Sequence, residues 1–434
     1  MKKSKYNSLI PLSSKIDLLY NALSDTFLFV HKMDDKVWSN SKKLEIEHPS
    51  LFKKLCENGF YVEDCFDEFE TLQRLNQAVV NNDRNYLIII NPTLACNYKC
   101  WYCYENHIPH SKMSEETLDR VYKHMVNVIK THTKLQSFCI SFFGGEPLLH
   151  FKDIILPIIH FYNRLCEEND ISFTGIGFTS NGGLLNSEIV ETLAQYKNVQ
   201  FQITLDGGKN EHNRIRHSHK GEDTYTLILR NVMLLLKNNM EVRLRINYTS
   251  DCLNSLTQIA DDLNVLSDEE KTRLNVDFHQ VWQERILSKD LDGVRDVVNY
   301  FDRKKFKMTF NDVNMLRNPC YGDKRNTAVI NYNGDIYKCT ANDFTKVNRE
   351  GYLDEKGNIV WLKSQDYRTN IRFKNGQCRS CRIAPLCGGG CSRHLIARDA
   401  GQEEDCIFSS CEKRINELIL DRLDMFIRNR HKNG

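Results

Sequence analysis

The 434-residue sequence lacks the marks of several large classes of protein. It has no apolar run of about 18 residues, so no membrane-spanning helix is expected. Ser, Lys and Asp interrupt the N-terminal stretch MKKSKYNSLIPLSSKIDLLYNAL, which excludes the apolar segment of a signal peptide. The formal net charge is only +2, so nothing favours nucleic acid or a membrane as a partner. With no internal repeat or low-complexity tract either, the sequence predicts a cytoplasmic globular protein.

Cysteine is what the sequence has in excess, at sixteen residues. A reducing compartment does not favour disulfides, so this number indicates metal or redox chemistry. Five cysteines stand alone and are predicted to be buried small hydrophobic residues. The others form a first group of three and a second group in the last third of the chain. The isolated residues are Cys56, Cys65, Cys139, Cys166 and Cys252; the first group is Cys96, Cys100 and Cys103; the second is Cys320, Cys339, Cys378, Cys381, Cys387, Cys391, Cys406 and Cys411.

Between residues 85 and 282, six strand-like runs alternate with five helix-like runs. The strand-like runs are nearly continuous in apolar residues; they are YLIII, SFCISFF, ISFTGIGFTS, NVQFQITL, EVRLRINYT and NVDFHQVW. This alternation is typical of parallel β/α construction, with both faces of the sheet buried. We therefore predict an α/β fold, a partial (β/α)6 TIM-like barrel, with cofactor and substrate at the carboxyl ends of the strands.

The stretch CNYKCWYC places the first cysteine group directly after the first predicted strand. Three thiolates on one loop can bind three irons of a [4Fe–4S] cube and leave the fourth iron open. The alternative is a zinc site, which would need a fourth protein ligand, and His107 is the candidate for that ligand. The CX3CX2C spacing resembles the cluster motif of the radical S-adenosylmethionine (SAM) enzymes. The resemblance implies that the open iron chelates SAM, that reduction yields a 5′-deoxyadenosyl radical, and that Tyr102 lies near the adenine.

Three more loops resemble elements of the same family, each after the next strand in order. FFGGEP resembles the segment that receives the amino group of SAM, which implies this role for Gly144, Gly145 and Glu146. TSNG resembles the ribose-contacting segment, and LDGGKNEHNRIR a further family element. The residues implied in these two are Ser180 and Asn181, and Asp206 with Gly207, His212 and Arg216.

The second cysteine group resembles the seven-cysteine SPASM extension of radical SAM enzymes, which binds two auxiliary [4Fe–4S] clusters. Together with the first group this implies three clusters. The last cysteine of this pattern, a ligand of the second auxiliary cluster, is either Cys406, which we favour, or Cys411. The pattern leaves the fourth ligand of the first auxiliary cluster open: it is Cys411, another residue or the substrate. For the region as a whole, the alternative is a zinc ribbon on CX2C. By the resemblance Cys320, Cys339 and Cys391 bind the first auxiliary cluster, and Cys378, Cys381, Cys387 and Cys406 the second.

The predicted organisation follows from these motifs. An N-terminal α+β extension, residues 1–84, is either a segment that packs on the core or a leader-peptide-binding module of winged-helix type. The radical SAM core spans residues 85–310. A small cysteine-rich SPASM domain that binds the auxiliary clusters spans 311–412, and 413–434 form a C-terminal amphipathic helix.

The resemblance implies an enzyme that modifies a ribosomally made precursor peptide by hydrogen abstraction, to install a crosslink, a thioether or an epimerised residue. An electron donor such as flavodoxin or ferredoxin is the second expected partner. One alternative is a maturase of a folded protein, of the anaerobic sulfatase-maturating type. That branch has Asp directly after the cysteine of its YXCD element, whereas Thr340 follows Cys339 here. The other alternative is a catalytically silent cluster protein.

Overall fold

The computed structural model describes residues 1–32, 35–218, 221–281, 283, 290–310, 313–398, 406 and 411–432. These residues form two compact units. The first unit combines Met1–Asn82, Asn311–Arg325 and Ser364–Ile427. The second combines Asp83–Phe310, Asn326–Lys363 and Arg428–Gly434. Among the described residues, no helix has both the length and the apolar character that crossing a membrane requires.

The N-terminal part of the first unit is a three-stranded antiparallel sheet followed by helices. The sheet has the order β2-β3-β4, and residues facing each other across β3 and β4 include Leu18 with Phe29. The last helix begins where the carboxylate of Asp67 accepts hydrogen bonds from two backbone N–H groups. This segment combines strands and helices, in agreement with its predicted α+β character. Its elements are β1 Lys2–Lys3, β2 Asn7–Pro11, β3 Ile16–Asn21, β4 Thr26–His31, α1 Asp35–Trp38, α2 Ser41–Glu47, α3 Pro49–Glu57, β5 Tyr61–Val62 and α4 Glu68–Val80.

The second unit is built on a large, mostly parallel sheet, so the α/β class is confirmed. The six predicted strands are all present, with ends within two residues of the prediction, and helices connect them. The longest helix of this unit begins where Ser114 Oγ accepts from the Thr117 N–H. The elements are β6 Asn85–Ile90, β7 Tyr98–Cys100, α5 Glu115–Thr131, β8 Ser137–Phe142, α6 Leu156–Glu168, β9 Phe173–Ser180, α7 Ser187–Leu193, β10 Val199–Leu205, α8 Lys209–Ile215, β11 Arg216–Ser218, α9 Thr224–Lys237, β12 Glu241–Tyr248, α10 Leu256–Asp262, α11 Asp268–Thr272, β13 Leu274–Gln280 and α12 Asp290–Arg303.

The sheet extends further than the sequence predicts. A short strand follows β13, and after residue 325 the chain returns to pair in parallel with β6, then continues in three antiparallel strands. The order is β14-β13-β12-β10-β9-β8-β6-β15-β16-β17-β18. These strands could not be predicted, because they are only three or four residues long and have no periodicity. They are β14 Lys307–Thr309, β15 Thr327–Ile330, β16 Asp335–Tyr337, β17 Gly351–Leu353 and β18 Ile359–Trp361.

The two faces of this sheet differ in chemistry. Phe142, Phe178 and Phe201 on neighbouring strands stack with ring centroids 5.2 and 4.5 Å apart. Phe278 of β13 packs edge-on against Phe301 of helix α12. Successive residues of a strand point to opposite faces of the sheet. The polar residues that precede or follow these aromatic residues along each strand therefore face away from the helices. The sheet therefore has one aromatic, helix-covered face and one polar face.

The C-terminal part of the first unit shares its hydrophobic core with the N-terminal sheet. Tyr6 and Leu18 pack in the same buried cluster as Leu386 and Ile419. The compact units therefore group the chain differently from the four predicted segments, whose functional assignments stay predictions. Of the isolated cysteines, Cys166 and Cys252 are buried, Cys56 and Cys139 are half-buried, and Cys65 is exposed, so its predicted burial is wrong. The remaining helices are α13 Gln365–Asn370, α14 Ala384–Cys387, α15 Ser392–Arg398 and α16 Glu412–Lys432.

Candidate active site

The first cysteine group lies on the loop after β6, at the carboxyl edge of the parallel sheet. Part of the loop is strand β7, which pairs antiparallel with β11 so that Cys100 faces Arg216. Burial raises the pKa of the Cys96 thiol to about 12 and that of Cys103 to about 11. Free thiols at this position are therefore protonated, and a bound cationic centre would deprotonate them.

The surroundings of Cys96 suit a thiolate that binds metal. Its sulfur accepts from the Tyr98 N–H at 3.5 Å and faces the side-chain amide of Asn181 at 3.8 Å. His107 Nε2, the alternative fourth ligand, lies 3.5 Å from the Cys103 sulfur. Within the described ranges, no three His, Cys, Asp or Glu side chains are arranged to bind one metal ion. A four-iron cube places each thiolate on a different iron, so it does not require that arrangement.

The paired glycines after β8 pack directly against the backbone of the cysteine loop. Gly144 has φ +110°, and a Cβ there would lie 2.2 Å from the Thr93 carbonyl oxygen. A Cβ at Gly145 would lie 2.2 Å from the carbonyl oxygen of Ala95, the residue before Cys96. No side chain fits such a close backbone approach. The two glycines therefore fix where the cysteine loop begins.

Glu146 connects the loops after β8 and β9. It is fully buried, and its carboxylate accepts from Ser180 Oγ at 2.8 Å and from the Asn181 N–H at 2.7 Å. Burial raises the pKa of Glu146 to about 7, although these hydrogen bonds oppose the rise. Asn181 in turn donates to the side-chain oxygen of Asn97 at 2.8 Å. The structure thus brings the predicted residues of both loops together; their contacts with SAM stay predictions.

Tyr102 is held by a buried polar network from three strands. Its hydroxyl donates to Asp206 at the end of β10 and accepts from Arg216 at 2.7 Å and from Asn247 at 3.0 Å. Arg216 Nε also donates to Asp206 at 2.9 Å. Asn247 belongs to no sequence motif, and its only signal is its position at the carboxyl end of β12. His212 is buried too: its Nδ1 accepts from the Asp206 N–H, and burial lowers its pKa to about 4.

Arg216→Met is expected to lower the free energy of unfolding by about 3–5 kcal/mol, because it leaves the buried Asp206 carboxylate without its cation. Anaerobic urea denaturation followed by circular dichroism measures this change. Arg214→Met is the matched control, since Arg214 is exposed two residues earlier in the chain. Equal denaturation midpoints for the two variants would show that the Asp206–Arg216 pair does not organise the site.

The polar face of the sheet continues from this network. Asn247 is paired in register with His279 on β13, whose Nε2 lies 2.9 Å from Asp277 Oδ2. Arg245 Nε donates to Asn247 at 2.8 Å. His279 is partly exposed, so a ligand on this face can reach it. These residues could not be predicted as part of a site, because they alternate with apolar residues along strands whose two faces were both expected to be buried.

In the first unit, much of the second cysteine group surrounds one cavity of about 450 Å³. Burial raises the pKa of Cys378 to about 12 and that of Cys387 to about 11, and neighbouring thiols add to both rises. The cavity includes Cys406 among its walls but not Cys411, which is exposed. Its cysteines are Cys378, Cys381, Cys387, Cys391 and Cys406.

The predicted ligands of the first auxiliary cluster are less closely defined. The buried guanidinium of Arg372 lies 3.6 Å from Asp323, three residues after Cys320 in the chain. Burial lowers the pKa of Arg372, and the charge of Asp323 opposes the fall, followed by Cys387, Cys320 and Cys391. Cys339 belongs to the second compact unit. The grouping of Cys320, Cys339 and Cys391 stays a prediction.

Comparison with known proteins gives consistent matches. The family model described as the radical SAM superfamily matches residues 90–284. The radical SAM cyclopropyl synthase TigE of Paramaledivibacter caminithermalis is 23% identical over 383 residues, which cover 79% of this chain and 76% of TigE. A cysteine-type anaerobic sulfatase-maturating enzyme of Clostridium perfringens is 23% identical over 377 residues, 74% of this chain and 91% of that enzyme.

Two solved structures share the fold. The structure of anSMEcpe with bound AdoMet has a TM-score of 0.60 at 18% identity and covers 80% of this chain and 99% of its own. Streptococcus suis SuiB bound to precursor peptide SuiA has a TM-score of 0.53 at 18% identity, covering 94% and 100%. The fold is therefore that of proteins solved with AdoMet or with a precursor peptide.

Proposed function

Because this chain is an enzyme of the radical SAM superfamily, with its radical SAM domain at residues 90–284, we propose that it modifies a precursor peptide by hydrogen abstraction. The observation that carries this proposal is the convergence of four loops at one edge of the sheet. These loops bear the three cysteines, the Gly-Gly-Glu turn, Ser180 with Asn181, and Asp206 with its Arg216 partner. In this proposal the parallel sheet is a partial barrel whose polar face lines the substrate space.

Different residues at the carboxyl edge of the sheet would bind the cluster and position the cofactor. Cys96, Cys100 and Cys103 would bind a [4Fe–4S] cluster, which when bound supplies the electron that cleaves the sulfonium of SAM. The Tyr98 and Asn181 donors at Cys96 stabilise a thiolate. Gly144 and Gly145 let the backbone of the cysteine loop approach the turn after β8 closely, and the network around Tyr102 keeps the cysteine loop rigid.

The cavity of the first unit supports auxiliary clusters of the SPASM type. Five half-buried or exposed cysteines around one cavity suit a cluster better than a hydrophobic core, since the wall also contains polar and charged side chains. Cys406 is favoured over Cys411 as the last ligand because it lines this cavity. We propose Cys378, Cys381, Cys387 and Cys406 for the second auxiliary cluster.

A peptide substrate is supported by two surfaces. On the polar face, Asn247 and the Asp277–His279 pair offer hydrogen bonds next to the SAM site. In the N-terminal sheet, β4 is an edge strand, and its Phe29 side chain is 59% exposed although it pairs with the buried Leu18. An edge strand with an exposed aromatic side chain suits the addition of an extended peptide. We propose that the leader of the precursor binds there.

The test is anaerobic incubation of the reconstituted protein with SAM, a reductant and synthetic peptides encoded by short open reading frames beside its gene. The expected result is 5′-deoxyadenosine together with a changed peptide mass, read by mass spectrometry. The Cys100→Ala variant, which lacks one cluster ligand, should give neither product. If 5′-deoxyadenosine forms and no peptide changes in mass or fragmentation, the peptide assignment is wrong.

Modification of a folded protein is the second candidate, favoured by the similarity to sulfatase-maturating enzymes. The residue after Cys339 opposes it, because Thr340 stands where that branch has Asp. A peptide that carries the modified segment of a sulfatase distinguishes the two candidates in the same assay. Its conversion in place of the neighbouring precursor would favour the second.

A further inference from the structure

The carboxyl end of strand β13 lies against the cysteine loop. Gln283, three residues beyond the end of this strand, donates from its side-chain amide to the Tyr102 carbonyl oxygen at 2.7 Å. On the neighbouring strand β12, Asn247 donates to the Tyr102 hydroxyl at 3.0 Å. His279 is paired in register with Asn247, and neighbouring strands lie about 4.8 Å apart. His279 is therefore one strand spacing away from a residue that contacts the cysteine loop.

His279 and Asp277 form a carboxylate–imidazole pair on the polar face of the sheet. They are two residues apart on β13, so both side chains point to the same face. Nε2 of His279 lies 2.9 Å from Asp277 Oδ2, and the side chains are 37% and 12% exposed, respectively. In neutral imidazole, the nitrogen that faces a carboxylate carries the proton, which leaves Nδ1 as the acceptor. The carboxylate also orients the ring and stabilises the imidazolium that forms when Nδ1 takes up a proton.

The charged groups beside this pair belong to the two neighbouring strands. Arg245 of β12 is paired in register with Asp277. On the other side, Lys307 of β14 is paired in register with Asn275, two residues before Asp277. Among these side chains, the imidazole of His279 is the one whose type ordinarily gains and loses a proton near neutral pH. It is also the more exposed member of its pair, so a substrate on the polar face can reach it.

We propose that His279, oriented by Asp277, is the proton acceptor of the peptide reaction. This inference rests on the proposed function, in which a hydrogen atom of the peptide passes to the 5′-deoxyadenosyl radical. When the resulting carbon radical bonds to a second group X in a crosslink or a thioether, the X–H bond breaks and releases one proton and one electron. The proton goes to Nδ1 of His279, and the electron goes to an oxidised auxiliary [4Fe–4S] cluster. Epimerisation releases neither, so the pair favours an oxidative, bond-forming reaction.

The test is the peptide assay of the proposed function, applied to His279→Ala. Peptide modification should slow by about 100-fold or more, because a positioned base contributes about 10²–10⁴-fold, while 5′-deoxyadenosine still forms. Added imidazole can enter the space of the missing, partly exposed ring and should raise the rate by about tenfold. His160→Ala is the matched control, since His160 is an exposed histidine of helix α6. It should keep the full rate, with or without imidazole.

Asp277→Asn tests the carboxylate of the pair separately. The amide keeps the shape of the side chain but no longer stabilises an imidazolium or selects the tautomer with Nδ1 as acceptor. Peptide modification should slow by about 100-fold or more. Added imidazole should not restore it, because the His279 ring still occupies its place. A rate equal to that of His160→Ala would overturn the role of Asp277.

The possible failures are distinguishable. If the wild-type protein modifies no precursor, the proposed function fails and the inference fails with it. If the wild-type protein does modify one, and His279→Ala matches His160→Ala, the role of His279 is overturned while the proposed function stands. A slow variant that imidazole does not accelerate, or an epimerised product, also overturns it.

A second substitution covers damage to the fold. If His279→Ala loses the formation of 5′-deoxyadenosine as well, His279→Gln is measured in its place. The glutamine amide fills much of the space of the ring but takes up no proton. Peptide modification by His279→Gln at the rate of His160→Ala would overturn the proposal, and slow modification with retained 5′-deoxyadenosine formation would support it.

Discussion

Cys96→Ala is expected to reduce the formation of 5′-deoxyadenosine from SAM to the level of a protein-free control. Cys96 is one of three thiols on the loop after β6, and a cube held by only two of them cannot present its open iron reproducibly. The iron content should fall by about four atoms per chain, the content of one cube. Liquid chromatography of anaerobic reactions with dithionite measures the product, and a colorimetric assay measures the iron.

Cys65→Ala is the matched control for this loss, since Cys65 is exposed and belongs to neither cysteine group. It should retain both the rate and the iron content. Full SAM cleavage by Cys96→Ala would contradict the assignment of the loop. Loss of cleavage by Cys65→Ala as well would mean that general damage, and not loss of a ligand, explains the first result.

The parallel sheet could be predicted because its strands are short apolar runs between amphipathic helices. Alternating apolar runs and amphipathic helices leave few other arrangements, and β6, β8 and β9 begin and end within two residues of the prediction. The predicted burial of both faces is wrong for β12, where Arg243 is exposed. The pairing of β7 with β11 could not be predicted in the same way. Three-residue strands have no periodicity, and the contact between Cys100 and Arg216 depends on folding of the whole edge.

In the candidate site, too, some residues could be predicted from the sequence and others could not. Cys96, Glu146 and Asp206 follow strands in succession, and the carboxyl ends of parallel strands meet at one edge, so their proximity follows from order alone. Asn247 and His279 carry no motif; their position depends on the register of β12 against β13. The shared core of the N-terminal and C-terminal segments is a long-range contact between surfaces that each look like an ordinary amphipathic face.

Gly145→Ala should lower the rate of SAM cleavage about 100-fold while the protein still folds. The added Cβ would lie 2.2 Å from the carbonyl oxygen and 2.6 Å from the carbonyl carbon of Ala95. Backbone atoms cannot rotate away as a side chain can, so Ala95 and the adjoining Cys96 must shift. Displacing a reacting centre by about 1 Å costs on the order of 100-fold in rate.

Gly293→Ala is the control, because Gly293 lies in helix α12 and its Cβ would meet only Leu253 Cδ1, at the ordinary contact distance of 3.5 Å. The 5′-deoxyadenosine rate is measured for both variants together with iron content and the dissociation constant of SAM. The expected pattern for Gly145→Ala is retained iron with a lower rate or weaker SAM binding. An unchanged rate and affinity would show that the close approach of the Gly-Gly turn to the cysteine loop does not position the cofactor, since the loop would then tolerate the shift that the added methyl group requires.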